Sequence, residues 1–478
     1  MITIVFGRAA QFLLALAMMR VATTLLSPEE MGRVSLVLTT IAFFAMFLVN
    51  PVGMFINRRL HAWLVNGTAS TYLERYAGYL GVVALVAAIM LPLVEMTGWV
   101  NFGMSGTWLV VLVCGSLIFN TINQTSIPSL NMLGDSRSFV VLSVTTLAAS
   151  FVCAVVLVET VQTSAQYWVL GLLLGQMLLA IAGTKVFFAY LQQEGGATTV
   201  TAGLQKKQFR ILFEFAWPVA LAAGLGWVQG QGYRYILESQ LGLAQLGLFV
   251  AGYGISAGLI AGFESVLTTY FQPRLYRDAS KGHANEQAEA WQRYASAVIP
   301  SLVLTVVLII MLAPELTRLF LGQRFQTASS FVVWGALAEA ARVLTGVYSL
   351  IAHVFMRTRW LVLPTAAGAL LAILACLALI PSFGAIGAGI GLTFAGFVVV
   401  ALLHALLASR AGGGVAIRQI SKALAAGAAL WLLVLLLRTL LREEGWIALA
   451  GIIVLVGTAY LGSLYWLLRE HLEDKVRT

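Results

Sequence analysis

Runs of about 20 consecutive apolar residues, recurring along the whole chain, constrain the fold more than any other feature of the sequence. A helix of that length crosses roughly 30 Å of hydrocarbon, and only helices and closed barrels satisfy their backbone groups in lipid. The sequence therefore predicts an all-α polytopic membrane protein with about 14 transmembrane helices. The predicted spans are 3–26, 31–54, 76–96, 107–130, 138–158, 166–190, 211–238, 243–272, 293–313, 327–352, 360–381, 385–409, 419–438 and 446–468.

Composition excludes a water-soluble protein. Of the 478 residues, 60% are apolar and only 10% are charged, and the mean hydropathy is +0.90, whereas soluble domains carry about 25% charged residues. The formal net charge of +9 would suggest nucleic-acid binding in a soluble chain. In a membrane protein the basic residues belong in the cytoplasmic loops, so no nucleic-acid partner is expected.

The distribution of basic residues predicts the orientation in the membrane. The breaks after the third, fifth and eleventh spans contain no Lys or Arg, and most basic residues fall in the alternate breaks. By the positive-inside rule, both termini are predicted to be cytoplasmic. Only four basic residues are assigned to periplasmic breaks, namely Arg318, Arg324, Arg438 and Arg442.

An internal repeat divides the chain. In both halves an arginine near the outer end of a helix precedes a leucine-rich turn and a glycine, Gly32 or Gly247. Each glycine lies 27 residues before an Arg-Leu pair that begins with Arg59 or Arg274. Six helices per repeat predict two lobes of the same orientation around a central cavity, as in alternating-access transporters.

The repeat also predicts the domain organisation. Two six-helix lobes are followed by two helices that lie outside the repeat. The predicted domains are an N-terminal lobe at 1–192, a cytoplasmic linker at 193–210, a C-terminal lobe at 211–410, and two extra helices with a tail at 411–478.

Charged residues inside the spans are the first candidates for a functional site, because each costs about 2.5–3.5 kcal/mol on insertion scales. Arg342 lies near the middle of its span, with Glu339 one helical turn before it. The pair is either mutually neutralised and structural, or lines the cavity, with Arg342 binding an anion and Glu339 titrating. Arg8, Arg20 and Arg234 lie nearer helix ends, where snorkelling to the headgroups is the alternative.

Amide side chains at mid-depth extend this set. Asn120 is a positional counterpart of Arg342 in the first half, and Gln231 precedes Arg234. Guanidinium groups grip phosphate oxygens bidentately, and amides offer donors and acceptors to sugar hydroxyls. The predicted substrate-binding residues are Arg342, Arg234, Arg20, Arg8, Asn120, Asn123, Gln124 and Gln231, and the predicted ion-coupling residues are Glu339 and Glu264.

Motifs for catalysis and nucleotide binding are not found in the sequence. It contains no GxxxxGK[ST] loop and no HExxH pattern, so no cofactor or metal is expected. The longest periplasmic break, near Arg318, has about 14 residues. That is little room for the acceptor chemistry of a membrane polysaccharide polymerase or ligase, and the protein is predicted not to be an enzyme.

Several segments resemble a known family. Arg20 followed by Leu-Ser-Pro-Glu-Glu-Met-Gly at 26–32 resembles the opening signature of the polysaccharide transporters, and Trp-Pro at 217–218 and the stretch 232–249 resemble its second half. These transporters belong to the multidrug/oligosaccharidyl-lipid/polysaccharide exporter superfamily and include the O-antigen (Wzx-type) flippases. Many relatives have Asp-Arg where this chain has Tyr233-Arg234, so the role of that acid does not carry over.

The resemblance implies a function. It implies flipping of a polyprenyl-pyrophosphate-linked oligosaccharide, a repeat unit of O-antigen, capsule or exopolysaccharide, from the cytoplasmic to the periplasmic leaflet of a bacterial inner membrane. It further implies a cationic cavity, ion-gradient coupling, membrane lipids around the protein, and a polysaccharide polymerase and glycosyltransferases as partners. The alternative is a cation-coupled multidrug antiporter of the same fold, which would need an excess of carboxylates where this chain has arginines.

Overall fold

The computed structural model describes residues 2–193, 206–280, 284–408, 417–440 and 445–473, and this part of the chain is helical without strands. A π-helical turn, Ala45–Val49, joins α2 to α3, and the 3-10 turns Gln323–Ala328 and Thr358–Leu361 precede α12 and α13. The helices are α1 Ile2–Leu25, α2 Pro28–Phe44, α3 Asn50–Val65, α4 Ala69–Met96, α5 Gly106–Met132, α6 Ser136–Thr160, α7 Ala165–Gln193, α8 Lys206–Gln231, α9 Tyr233–Ala279, α10 Ala284–Met311, α11 Ala313–Phe320, α12 Ser329–Val354, α13 Val362–Phe383, α14 Ala385–Leu407, α15 Ile417–Leu440 and α16 Trp446–Glu473.

Every predicted span coincides with a long helix, so the predicted fold class is confirmed. Among the described residues, twelve helical segments are long and apolar enough to cross a membrane. One of them, Arg210–Ala279, contains both the seventh and the eighth predicted spans. The first predicted span corresponds to α1, which carries two arginines.

The chain divides into two compact units, unit 1 at Met1–Gly247 and unit 2 at Leu248–Thr478. The division falls within α9, five residues after a break at Gly242, where φ is +81°. Residues 194–205 of the predicted linker lie outside the described residues, and the predicted domain boundaries stay predictions.

The start of α2 shows how the local sequence fixes a helix end. Ser27 is the N-cap, and its hydroxyl accepts from the backbone N–H of Glu30 at 3.3 Å, while Pro28 occupies the first turn. This is the Ser-x-x-Glu pattern of a helix N-terminus. The Glu30 carboxylate pairs with Arg33 and accepts from the backbone N–H of Ala165 at 2.6 Å. One carboxylate therefore joins α2 to the start of α7.

The π-helical turn between α2 and α3 comes just before Pro51, which has no N–H to donate. A π-turn shifts the hydrogen-bond register by one residue. The hydroxyl of Tyr79 on α4 donates to the carbonyl of Leu48 inside this turn at 2.8 Å. The bond holds α4 against the irregular segment and places the aromatic residues of α3 and α4 side by side.

The repeat glycines lie at a backbone-to-backbone crossing within unit 1. A Cβ on Gly32 of α2 would overlap the carbonyl of Leu243, and a Cβ on Gly247 of α9 would overlap the carbonyl of Pro28. Gly242 provides the positive φ that lets α9 turn just before this point, a conformation that only glycine adopts readily. Both glycines are therefore required by the close approach of α2 and α9.

In unit 2, polar contacts attach α15 to the helices around it. Arg438 binds Glu315 through two bonds of 2.8 Å and donates to the carbonyl of Met311 at 2.8 Å. The indole N–H of Trp291 on α10 donates to the carbonyl of Val347 on α12 at 2.9 Å. The bonds of Arg438 give the first of the two extra C-terminal helices a defined place against α10 and α11, and the bond of Trp291 joins α10 to α12.

Candidate substrate and coupling sites

A cluster of charged side chains lies inside unit 2. The Nε of Arg342 on α12 donates to Oε2 of Glu339 at 2.6 Å, and its terminal NH2 group donates to Oε2 of Glu264 on α9 at 2.8 Å. The hydroxyl of Tyr253 donates to Oε1 of Glu339 at 2.6 Å. One guanidinium thus contacts two carboxylates, and the cluster has a net charge of −1 when all three groups are ionised.

The cluster has a buried end and an open end. The side chain of Glu339 is 8% exposed, that of Glu264 is 27% exposed and that of Arg342 is 48% exposed. Glu264 also lines a cavity of about 240 Å³ together with Gln272 and Tyr294. Any ligand or proton that reaches the cluster from this cavity meets the Glu264 carboxylate.

This geometry sets a condition on the predicted role of Arg342. Its guanidinium donates two of its five N–H groups to carboxylates, so an anion that uses the others meets the negative charge of Glu264 beside them. Anion binding here is favoured when Glu264 is neutralised or moves away. The contact between Glu339 and Arg342 is compatible with both roles considered for the pair, and its function stays a prediction.

Arg234 in unit 1 has a different environment. It follows the break at Gly232 between α8 and α9, and its NH1 group donates to the hydroxyl of Thr39 on α2 at 2.6 Å. Its Nε donates to the hydroxyl of Tyr233 at 3.3 Å. Within the described ranges no carboxylate pairs with this guanidinium, which therefore keeps a full positive charge among neutral partners.

Neighbouring bonds hold the Arg234 site in place. The indole N–H of Trp227 donates to the carbonyl of Thr39 at 3.2 Å, and the hydroxyls of Thr40 and Tyr235 are 2.8 Å apart. Three consecutive polar contacts therefore join α2 to the junction of α8 and α9. Such a network presents the Arg234 guanidinium in a fixed position.

The two arginines of α1 lie at different levels. Arg20 is half-buried, and its carbonyl accepts from the hydroxyl of Thr24 at 2.7 Å. Arg8 is exposed, donates to Gln11 at 3.4 Å and lies 5.9 Å from the ring centre of Phe139. Twelve residues separate the two arginines, which is roughly 18 Å along a helix. One small ligand does not reach both guanidinium groups without extending along α1.

The predicted amides of α5 differ in exposure. Asn123 is buried, and its Nδ2 donates to the backbone carbonyl of Gln176 on α7 at 2.8 Å. Asn120 is half-buried and Gln124 is exposed. Asn123 therefore contributes to the packing of α5 on α7, while its two neighbours leave their side chains accessible. Gln231, at the end of α8, is half-buried.

The structure adds residues that the sequence analysis did not select. Thr39 and Tyr253 complete the two sites by contacts across 195 and 86 residues of chain. Glu238 is buried in unit 1, where its carboxylate accepts from the backbone N–H of Asn101 at 3.5 Å. Hydroxyl-bearing residues are common in membrane helices, so no local signal distinguishes Thr39 or Tyr253.

Comparisons with known proteins find similar structures but no similar sequence. No protein-family model and no curated protein matches the sequence. A solved structure of the lipid II flippase MurJ in an inward closed conformation matches with a TM-score of 0.64 and 14% identity, covering 98% of this chain and 99% of the other.

Multidrug transporters match as well. A multidrug resistance MATE family transporter of the MOP superfamily in an inward-facing conformation gives a TM-score of 0.63 with 16% identity, covering 84% of this chain and 95% of that one. An outward-facing conformation of such a transporter gives 0.55 with 14% identity, over 86% and 94% of the two chains. At these identities the likeness concerns the fold alone, which this chain shares with the lipid II flippase and the MATE transporters.

Proposed function

We propose that this protein is a flippase that moves a polyprenyl-pyrophosphate-linked oligosaccharide from the cytoplasmic to the periplasmic leaflet by alternating access. The observation that carries the proposal is Arg234, a guanidinium inside a membrane span that contacts only hydroxyl groups and aromatic rings in the described part of the chain. The likeness of fold to a lipid II flippase supports it.

The energetics of Arg234 favour an anionic ligand. A charged side chain within the bilayer costs about 2.5–3.5 kcal/mol on insertion scales, so it is kept where a partner or a wet cavity compensates it. The hydroxyl of Thr39 supplies one hydrogen bond and no charge. A pyrophosphate supplies charge and several acceptor oxygens, and guanidinium binds phosphate oxygens in a bidentate geometry. Arg20 and the accessible amides Asn120, Gln124 and Gln231 are the further groups that we assign to phosphates and sugar hydroxyls.

We assign ion coupling to the cluster of Glu264, Glu339 and Arg342. Protonation of Glu264 from its cavity would remove one carboxylate from Arg342 and make the cluster neutral. The NH2 group now held by Glu264 at 2.8 Å would then be available to a phosphate oxygen. The titratable groups facing the cluster are Tyr253, which donates to Glu339, and Tyr294, which lines the cavity with Glu264.

A second candidate function is the export of cationic drugs by the same fold. The observation in its favour is the net charge of −1 of the unit 2 cluster beside a cavity of about 240 Å³, together with the likeness of fold to the MATE transporters. An organic cation would bind at Glu264 and release Arg342. This candidate leaves the unpaired charge of Arg234 without a ligand, which is why the flippase is preferred.

The flippase proposal is tested with purified protein in liposomes that contain a fluorescent polyprenyl-pyrophosphate oligosaccharide. A membrane-impermeant quencher reports the fraction of lipid in the outer leaflet, with and without a proton or sodium gradient. We expect Arg234→Gln to reduce the exchange rate at least tenfold. The matched control is Arg210→Gln, because the side chain of Arg210 is 81% exposed and pairs with Glu214.

The two candidates predict opposite results. Exchange that is unchanged in the Arg234→Gln protein contradicts the assigned site. No exchange above protein-free liposomes for several glycans, together with gradient-driven accumulation of a cationic dye, contradicts the flippase and supports the antiporter.

A further inference from the structure

Unit 1 contains a second cationic site, away from the residues discussed above. A cavity of about 350 Å³ lies between α3, α4 and the first turns of α8. Its wall combines two arginines with a set of aromatic rings. The residues that carry the argument are Phe55, Arg59, Trp63, Tyr72, Arg75 and Tyr79.

Both arginines lie against aromatic rings. The guanidinium carbon of Arg59 is 5.3 Å from the ring centre of Phe55, and that of Arg75 is 5.5 Å from the ring centre of Tyr72. Across the described residues, no carboxylate pairs with Arg59. A guanidinium that stacks on a ring keeps its N–H donors directed outward in the plane of the group. The site therefore offers positive charge and in-plane donors to an anion.

The aromatic wall is preorganised. The rings of Trp63 and Tyr72 stack with their centres 4.2 Å apart and their planes at 15°. Phe55 contacts Phe215 of α8, with ring centres 5.7 Å apart, and the hydroxyl of Tyr79 is fixed to the π-helical turn at 2.8 Å. Such a wall presents apolar area without losing much conformational entropy when a ligand binds, which favours affinity.

A cavity of unit 2 also contains a repeat-related tyrosine, but with a carboxylate in place of the arginines. Tyr79 and Tyr294 are 215 residues apart in the sequence, as are Gly32 and Gly247, and each tyrosine lines the cavity of its own unit. The unit 2 cavity contains Glu264 and no arginine. The two cavities share the repeat-related pairs Val52/Leu267 and Tyr79/Tyr294 and are otherwise lined differently, by α8 in unit 1 and by α12 in unit 2. The arginines of the unit 1 cavity are therefore a feature of that cavity alone.

The unit 2 counterpart of Arg59 is Arg274, whose donors are used differently. Arg274 also lies over an aromatic ring, 4.1 Å from the centre of Tyr270, but its NH2 group donates to the Tyr270 hydroxyl at 2.6 Å. Phe55 has no hydroxyl, so Arg59 makes no such bond to its ring. Within the part of the chain that the structure describes, the donors of Arg59 are left for an external acceptor.

We propose that this cavity binds the phosphate headgroup of an anionic phospholipid of the surrounding membrane. The phosphate contacts Arg59 and Arg75, and the upper part of an acyl chain lies along the aromatic wall. A volume of about 350 Å³ is near the lower end of the roughly 300–1,000 Å³ of small-molecule pockets. It suits a headgroup and excludes an oligosaccharide of several rings. Anionic headgroups bind in basic pockets between helices at the cytoplasmic side of the membrane. In the predicted orientation, both arginines lie on that side.

Such a lipid would join helices that are distant in sequence. Ile211 and Leu212 of α8 line the cavity opposite α3 and α4. A phospholipid there buries apolar surface on both sides and is a structural component of unit 1. This inference does not depend on the proposed flippase function.

The test uses the full chain, delipidated in an uncharged detergent and titrated with short-chain phosphatidylglycerol while native mass spectrometry counts the bound lipids. We expect one tight phosphatidylglycerol site, with at least fivefold weaker binding of phosphatidylcholine. Arg59→Gln and Arg75→Gln should each weaken the tight site at least fivefold. Arg210→Gln, an exposed arginine of α8 outside the cavity lining, should leave it unchanged.

Three outcomes would overturn the proposal. Equal binding of phosphatidylcholine would show that charge is not recognised. Displacement of the lipid by millimolar inorganic phosphate would identify a free-anion site. Tight binding of a polyprenyl phosphate with no binding of phosphatidylglycerol would identify a substrate site. Thermal unfolding of each variant in detergent checks that it is folded. If a folded Arg59→Lys protein loses the site, the planar fork of the guanidinium is needed for binding, and not positive charge alone.

Discussion

Two arginines inside the membrane illustrate how little the residue type alone says about its role. Arg342 has two carboxylate partners, whereas Arg234 has hydroxyl partners and no carboxylate in the described part of the chain. Both are expensive to insert, and in each case part of the compensation comes from another helix, through Glu264 for Arg342 and Thr39 for Arg234. The net charge is −1 at the cluster of Arg342 and +1 at Arg234. The two sites therefore accept ligands of opposite charge.

The carboxylate of Glu264 gives a prediction about pH. Replacing Glu264 with Gln removes the group that we expect to take up the proton and leaves Arg342 with Glu339 alone. If a proton on Glu264 releases Arg342, a pH gradient across the liposome membrane accelerates exchange by the wild-type protein, and the Glu264→Gln protein exchanges lipid at a rate that the gradient does not change. The liposome assay with and without a pH gradient measures this.

The control for that experiment is Glu214→Gln, because Glu214 is an exposed carboxylate paired with Arg210. It should keep the wild-type response to the pH gradient. A Glu264→Gln protein that still responds to the gradient as the wild type does would rule out Glu264 as the coupling group.

Asp135 gives a second prediction at the residue scale, in a loop outside the spans. Its carboxylate is the N-cap of α6, and bonds from the hydroxyl and the backbone N–H of Ser138 hold its pKa below the ordinary value. A lowered pKa in the folded state stabilises the fold above the unfolded pKa of about 3.9, and this contribution is lost as the pH falls through the folded pKa. Asp135→Ala should cost about 1 kcal/mol at pH 7.

Thermal unfolding in detergent at pH 7, 5 and 3 checks this expectation. The difference between wild type and Asp135→Ala should be the same at pH 7 and 5 and smaller at pH 3. Asn caps helices as well as Asp does but carries no charge, so the advantage of Asp135→Asn over Ala should not vary with pH. A difference that grows toward acid would contradict the assigned cap.

At the scale of elements, the crossing of α2 and α9 depends on two glycines. The repeat identified Gly32 and Gly247 as equivalent positions, and the structure shows each of them against the backbone of the other helix. A backbone carbonyl cannot move aside as a flexible side chain can. The requirement for glycine is therefore a property of the pair of helices and not of either one.

This crossing predicts that Gly247→Ala destabilises unit 1 by about 1–3 kcal/mol, the range for overpacking a close contact. The control is Gly258→Ala on the same helix, where an added Cβ meets nothing within 4 Å and alanine should stabilise the helix by up to about 1 kcal/mol. Thermal unfolding of both variants in one detergent gives the comparison. Equal unfolding temperatures would show that α2 and α9 can separate without loss of stability.

At the scale of the whole molecule, the orientation in the membrane is the property left to experiment. The basic residues predict that both termini are cytoplasmic. Green fluorescent protein fused after residue 478 should fluoresce, and alkaline phosphatase fused in the break at 97–105 should be active. The reverse pair of results would mean that the cavity with Arg59 and Arg75 faces the periplasm, and the phospholipid would have to come from that leaflet.

Much of the fold followed from the sequence. The predicted spans agree with the helices to within a few residues at most of their ends, because a helix in lipid must be both apolar and about 20 residues long. The largest differences are at the end of α3 and at the start of α10, which extend well beyond the apolar runs at 31–54 and 293–313. Helix propensity and capping continue a helix into water where hydrophobicity no longer marks it.

The sites could be predicted only in part. Glu339 and Arg342 are one turn apart on a helix, so their pairing follows from helical geometry. Glu264 was selected for its cost in the membrane, but its bond to Arg342 joins α9 to α12 across 78 residues. Asn123 was predicted to bind substrate because it carries an amide. In the structure this amide donates a hydrogen bond to a backbone carbonyl of α7.

By itself, the sequence determined that this protein spans a membrane many times, where its helices lie, and that its halves repeat. Those properties depend on hydrophobicity and on spacing along one chain, which the order of residues contains in full. The tertiary structure alone decided which charges of different helices meet, since a guanidinium gains or lacks a second carboxylate according to which helix packs beside it. It also decided which charged side chains line the cavity of each unit, because each cavity is lined by side chains of several helices.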